Sequence, residues 1–317
     1  MNRDKIIRIA MVVCAVVVAC AVIISVTDMF GNGGSLFSYA NAEKYTAGDT
    51  ELSGDIKKLE INWTSGKVNI AYHAENTVIV KETADKAMDD NQKLRWWLDG
   101  DTLRIQYAKS SIHIGWNLEK ELTVTLPESL KLEEAKIGLT SGSLTAPDLK
   151  AEKVELDVTS GSIDASAEAE TAAINATSGK VTFRLKGDAD SLTVRSTSGH
   201  VSLEAEKVKE VQVGSTSGKM ELHVEEAGKV SAESTSASIL ADVKKADKLR
   251  ISSTSGSVTA AVSPEPGFTA DINTVSGSVN TDVAVTRNGN RYICGDGSME
   301  IDVSTVSGSI RIEKTQK

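Results

Sequence analysis

Aromatic residues are scarce in this 317-residue chain, with Phe, Trp and Tyr together only 4% of it. That shortage argues against a bulky core packed around large rings. Proline is equally thin, at 4 residues. Of the three cysteines, Cys14 and Cys20 lie in an apolar N-terminal stretch, which leaves Cys294 alone in the remainder and excludes an intrachain disulfide there. Basic excess is also missing. The net charge is -9, so the chain lacks the positive face that nucleic acid or anionic lipid demands.

What remains is 40% hydrophobic residues, enough to bury a sizeable core, drawn mainly from Val, Ala and Leu among many Ser, Thr and Gly. Small and β-branched side chains suit thin, regularly stacked strands.

The one long apolar run extends from Ile9 to Val26, broken only by Ser25 and preceded by Arg3, Lys5 and Arg8. Its eighteen residues approach the length that crosses a bilayer as a helix. Basic residues before it and Asp28 after it set the head inside and the rest outside. The expected layout is a cytoplasmic head over 1–8, a transmembrane signal anchor over 9–27 and a flexible linker over 28–50. Two processing signals compete with retention. Val17-Val18-Ala19-Cys20 resembles a lipobox, and Ala40-Asn41-Ala42 has the small-x-small form of a cleavage site. The apolar run continues past Cys20, and Ala42 lies far beyond its end, so retention is the reading adopted.

Beyond the linker a single motif recurs. Thr-Ser-Gly, or a close variant, ends at Gly66, Gly142, Gly161, Gly179, Gly199, Gly218, Ala237, Gly256, Gly277 and Gly308. From 142 to 277 the spacing stays between 18 and 21 residues, and Gly66 precedes Gly142 by 76, four times 19. Around each motif apolar residues alternate with polar ones, as in Val154, Leu156, Val158 before the turn and Ile163, Ala165 after it. This period of two marks strands with one buried face. A third pattern, apolar at every third position in Val224, Ala227, Val230 and in Val243, Ala246, Leu249, suits a charged bend. One such unit cannot bury its own face, but stacked copies can. The expected fold is therefore all-β: a single-stranded parallel β-helix or β-solenoid with rungs of about 19 residues, preceded by one N-terminal transmembrane helix. The nine glycines are structural turn positions, supplying positive φ at tight corners while Ser and Thr hydroxyls satisfy nearby backbone.

Residues 51–135 carry the alternation less regularly and read as an N-terminal capping part, with Asp99-Gly100 as a hairpin turn and Leu122 to Pro127 as a closing strand. Residues 136–317 form the repeat array. Within it, about 283–302 holds an insertion, expected as a hairpin that leaves the stack and covers the open edge of the final rung.

The alternating opening Leu59 to Ile70, the Leu122 to Pro127 strand, the serial Thr-Ser-Gly turns and the ending Gly295-Asp296-Gly297-Ser298 through Ile310 resemble the bacterial putative-adhesin family, domain of unknown function 4097. The resemblance covers about Glu51 to Glu313 and implies a β-solenoid on a bacterial envelope. It carries over no ligand-binding residues.

Chemistry is sparsely supported. His73, His113, His200 and His223 show no ligand spacing with each other or with Cys294, and no repeated Asp-x-Asp calcium pattern occurs. No Gly-x-Ser-x-Gly elbow is present. Parallel β-helices can host glycan chemistry on paired acids, here Asp157 with Asp164 or Glu204 with Glu206, and Trp96, Trp97 and Trp116 could stack on sugar. Acids nevertheless occur on every rung, as a solvated face requires. The expectation is thus no catalytic residue, no metal and no cofactor. The reading adopted is a membrane-held interaction protein whose partners are the membrane, through the N-terminal helix, and a cell-wall glycan or envelope protein, with no nucleic acid. Alternatives are a regulatory ectodomain in envelope stress and a carbohydrate-active enzyme.

Overall fold

The computed structural model describes residues 39–110 and 118–315. The signal anchor, Cys14, Cys20, His113 and Trp116 lie outside the described residues. Among the described residues no helix is long and apolar enough to cross a membrane. Two compact units are present, 39–175 and 176–315 in described residues. Extended chain dominates both, and among the described residues the helical content consists of two three-residue 3-10 turns, Ala42–Lys44 and Asp90–Gln92.

The N-terminal unit contains β1 (Thr46–Ala47), β2 (Thr50–Leu52), β3 (Lys58–Trp63), β4 (Lys67–His73), β5 (Val78–Ala84), β6 (Arg95–Asp99), β7 (Thr102–Gln106), β8 (Lys120–Pro127) and β9 (Leu132–Glu168). β9 is not one straight strand but extended chain that turns a corner at each Thr-Ser-Gly. Alternation decides what it buries: Leu59, Ile61 and Trp63 point inward from β3, and Leu122, Val124 and Leu126 from β8. β3 and β4 pair in parallel with β9, matching Leu59 with Ala135 and Val68 with Leu144. On their other side they pair in parallel with β7 and β8, matching Leu59 with Leu103 and Val68 with Leu122. The 76-residue gap is thus a direct neighbour relation. The coil first in sequence sits between the second and the third.

The C-terminal unit begins within β10 (Thr171–Ser234) and continues through β11 (Ser238–Ser253), β12 (Val258–Val262), β13 (Gly267–Thr274), β14 (Val279–Thr281), β15 (Thr286–Asn288), β16 (Arg291–Gly295), β17 (Met299–Thr305) and β18 (Ile310–Lys314). β10 and β11 stack in parallel at a constant offset of 19, from Lys219 with Ser238 to Ser234 with Ser253. Inward positions form apolar columns: Val194, Val213, Ala232 and Ile251 are all buried.

The order then changes. β17 pairs with β11, Leu249 facing Ile301, and β18 pairs with β12, Val258 facing Ile310. β13 and β14 pair with the opposite sides of β17 and β18. The final coil is therefore inserted between two earlier ones, and the coil carrying Gly277 is outermost in its stack. The expected hairpin exists as β15 and β16, joined antiparallel, with β16 also antiparallel to β13. It covers the face before the corner and leaves β14 paired only to β18 among the described residues.

Candidate functional site

Three arrangements of polar side chains stand out from the apolar columns: the corner ladder, the outward charge ladder and a buried cation in the N-terminal unit.

At the corners the glycine requirement has two parts. Gly66, Gly142, Gly161, Gly179, Gly199 and Gly218 adopt φ between 97° and 142°, which side chains rarely tolerate. Gly256, Gly277 and Gly308 do not, and Ala237 takes the same place. What these share with the first group is proximity. A Cβ at Gly161 would drive into the Gly142 carbonyl oxygen, and one at Gly256 or Gly308 into the carbonyl of the corner beneath. At Ala237, Gly256 and Gly308 a hydroxyl from the residue before the motif holds the turn, while Thr274 Oγ1 before Gly277 has no hydrogen-bond partner among the described residues. Ser253 Oγ accepts from Gly256 N at 2.9 Å, Thr305 Oγ1 accepts from Gly308 N at 2.7 Å, and the Ser234 hydroxyl donates to the Ala237 carbonyl at 3.0 Å. Rung-to-rung bonding at the corners is mainly backbone: Ser236 N donates to Thr216 O at 2.8 Å and Ser255 N to Thr235 O at 2.9 Å. The Thr and Ser of the motif are thus outward on a backbone ladder. At the Ala237, Gly256 and Gly308 corners the hydroxyls one step earlier do the capping.

Many of the outward acids are paired along the stacking direction. Lys153 meets Glu134 at 2.7 Å, Lys136 meets Glu155 at 2.7 Å, Lys209 meets Asp190 at 2.6 Å, Lys229 meets Glu210 at 2.9 Å and Lys244 meets Glu225 at 2.9 Å. Each partner is one rung away. Glu204 pairs with Arg184, while Glu206 accepts the Gly187 amide at 2.8 Å. His200 lies 3.1 Å from Glu221 and His223 lies 3.4 Å from Asp242, again between rungs. His73 is occupied with the Thr77 carbonyl at 2.6 Å. Asp157 and Asp164 stand on opposite sides of a corner, the first buried and the second exposed. Burial pushes Asp157 up to about 6; the proximity of Glu155 adds to this, and the Asn175 amide, donating at 2.8 Å, with Lys136 opposes it.

The third arrangement was not anticipated. Lys120 occupies the corner place next to Gly66, where the added carbon on Gly66 would strike the Lys120 carbonyl. Its side chain is fully buried, and its Nζ lies 2.6 Å from Glu82, whose side chain is 2% exposed. Nζ also donates to the Gln92 and Tyr107 carbonyls at 2.6 and 2.5 Å. The rings of Trp63 and Tyr107, 4.9 Å apart and edge to face, lie 5.0 and 4.1 Å from it. Burial pulls the Lys120 ammonium pKa down, with Glu82 opposing. The signal in sequence was Lys120 standing two residues before Leu122, in phase with the inward set.

Of the proposed sugar platform, Trp97 is half-buried against Tyr45 with Lys44 4.7 Å over its ring, and Trp96 is half-buried beside it in β6. Cys294 is a buried free thiol, its Sγ 3.6 Å from the Pro264 carbonyl. Among the described residues no group of three or more His, Cys, Asp or Glu is placed to hold a metal ion.

Coils closed by stacked glycine corners, with charge paired from rung to rung, define an all-β solenoid-like class. The chain belongs to the family described as Toastrack DUF4097, which matches residues 56–313. Solved structures similar to it include a putative cell adhesion protein from Clostridium sporogenes, 16% identical over 86% of this chain and 100% of that one, with a TM-score of 0.25. A putative lipid binding protein from Parabacteroides distasonis is 15% identical over 83% and 95%, with a TM-score of 0.40. A putative adhesin from Bacteroides fragilis is 13% identical over the same shares, with a TM-score of 0.33. No curated protein matches the chain.

Proposed function

We propose that this is a membrane-anchored, extracytoplasmic interaction protein of the cell envelope, without catalytic activity, that binds a cell-wall glycan or an envelope protein. The observation that carries the reading is the charge ladder. Side chains that a hydrolase would hold ready for substrate are here engaged with the next rung, as with Glu204 on Arg184 and Glu210 on Lys229. Such a surface is rigid and repetitive, suited to presenting an extended face. The resemblance to the putative-adhesin family supports an envelope setting, and the basic head before Ile9 supports retention with the N-terminus inside.

Protease treatment of intact cells expressing the full chain, followed by binding of the purified full chain to cell-wall glycan and envelope protein fractions, tests this. Digestion from outside and saturable binding without release of reducing ends are expected. Protection from protease, absence of binding, or steady release of reducing ends refutes it.

A further inference from the structure

The C-terminal unit finishes in a step. On the face before the corner, β13 is followed by two more strands, β16 and β15, both antiparallel. On the face after the corner the sheet stops at β14. Between them the corner Val275-Ser276-Gly277-Ser278 is exposed, Val275 to 57%. The backbone ladder also stops there. Thr235 O accepts from Ser255 N, Thr254 O from Ser307 N, and Val306 O from Ser276 N, each at 2.9 Å. Val275 O is next in that series and has no donor among the described residues.

Open strand edges are ordinarily blunted by cover, charge or a bulge. The N-terminal unit uses cover on both faces of its outer coil, β6 and β1 over β7 and β5 and β2 over β8. By contrast, the stretch 275–281 reads Val-Ser-Gly-Ser-Val-Asn-Thr and bears no charge. Two of the neighbouring charges, Asp282 and Arg287, are tied down within the unit. Asp282 pairs with Arg311, and Arg287 bonds the Gly289 carbonyl at 2.9 Å and lies 5.1 Å from the Tyr292 ring.

We propose that this step is a docking surface for a second copy of the chain, turned end for end. A three-residue edge alone is too short to hold a peptide firmly by strand addition. Two identical steps are self-complementary, because the projecting β15 edge of each meets the recessed β14 edge of the other. Both edges then pair at once about a two-fold axis. The neutral β14 edge brings no like charge against the partner's β15, whose Arg287 is held by its own Gly289 carbonyl and Tyr292 ring, and Val275 leaves water. Closure follows as well. The sealed strands of the N-terminal unit offer no matching recess, so the assembly stops at two.

The test is sedimentation velocity of the full chain in detergent micelles, beside a Val275→Lys/Asn280→Lys variant, with thermal unfolding as the folding control. Twice the chain mass is expected for the wild type and a twofold loss for the variant at unchanged melting temperature. A wild type that stays monomeric, or a dimer that survives both lysines, overturns the proposal. Should the lysines unfold the coil, a chain carrying Asn280→Cys and Asn288→Cys, with Cys14 and Cys20 replaced by serine, gives a second reading. Oxidation is expected to link it into dimers, and failure to do so overturns the proposal equally.

Discussion

Glycine at the corners and glycine in the bends face different demands, and single substitutions separate them. At Gly161 a methyl group has both a positive φ of 142° and the Gly142 carbonyl against it. Gly187 has φ 70° with nothing within 4 Å of an added carbon. Gly187→Ala is expected to cost about 1 kcal/mol, the conformational penalty alone. Gly161→Ala adds overpacking against backbone and is expected to cost about 3 kcal/mol or more, read by thermal unfolding of the two variants. Lys120 supplies a second contrast. Glu82→Gln leaves a buried ammonium unpaired, and a loss of about 3–5 kcal/mol is expected. A Glu82→Leu/Lys120→Met chain replaces both charges with apolar groups and should recover most of that loss. Urea unfolding of both variants measures the difference.

Asp157 makes stability depend on pH in a direction opposite to an ordinary surface carboxylate. Its folded value near 6 exceeds the usual 3.8. Folding therefore takes up a proton between those values, and this group opposes folding at neutral pH. The opposition fades as pH falls from about 6 toward 3.8. Asp157→Asn keeps an oxygen for the Asn175 amide and removes the charge. It is expected to be more stable than the wild type at pH 7, by at most about 3 kcal/mol. The gap should close on acidification, as melting curves of both proteins across pH would show.

At the level of elements, the alternation and the 19-residue period were legible because side-chain direction in a strand reverses at every residue. Columns such as Val194, Val213, Ala232 and Ile251 follow from that rule alone. The capping hydroxyls were half legible. Ser215 and Ser253 are polar residues in inward phase, but only the folded corner shows that Ser215 donates to the Ser217 carbonyl and that Ser253 serves the Gly256 amide. The stacking order was not legible. Periodicity states that coils stack, not which coil follows which, and a register 52 residues long looks the same locally as one of 19. Neither was the Lys120 cage, since Glu82, Gln92, Tyr107 and Trp63 converge only through pairings remote in sequence.

For the whole molecule the inserted coil has a direct consequence. Were coils stacked in chain order, removing residues 299–317 would shorten the array and leave the rest intact. Here β17 and β18 are the parallel neighbours of β13 and β14. The truncated chain is therefore expected to lose amide protection throughout 267–281 as well, while 219–253 stays protected. Hydrogen exchange of the two chains resolves those segments directly. Protection retained in 267–281 would show that those strands can re-dock on β11 and β12 unaided.

The same topology governs how the protein yields to force and to exopeptidases. A terminal strand on an outer edge can be peeled away one hydrogen bond at a time. The strand nearest the C-terminus, β18, is instead flanked by β12 on one side and β14 on the other. The first coil, β3 and β4, is likewise gripped on both sides, by β9 and by β7 and β8. Tension applied through β18 must slide it between two ladders at once, loading many bonds in shear, whereas on the N-terminal side β1 and β2, each paired on one side only among the described residues, peel away before the first coil is loaded. The last strand is thereby a wedge rather than a loose thread.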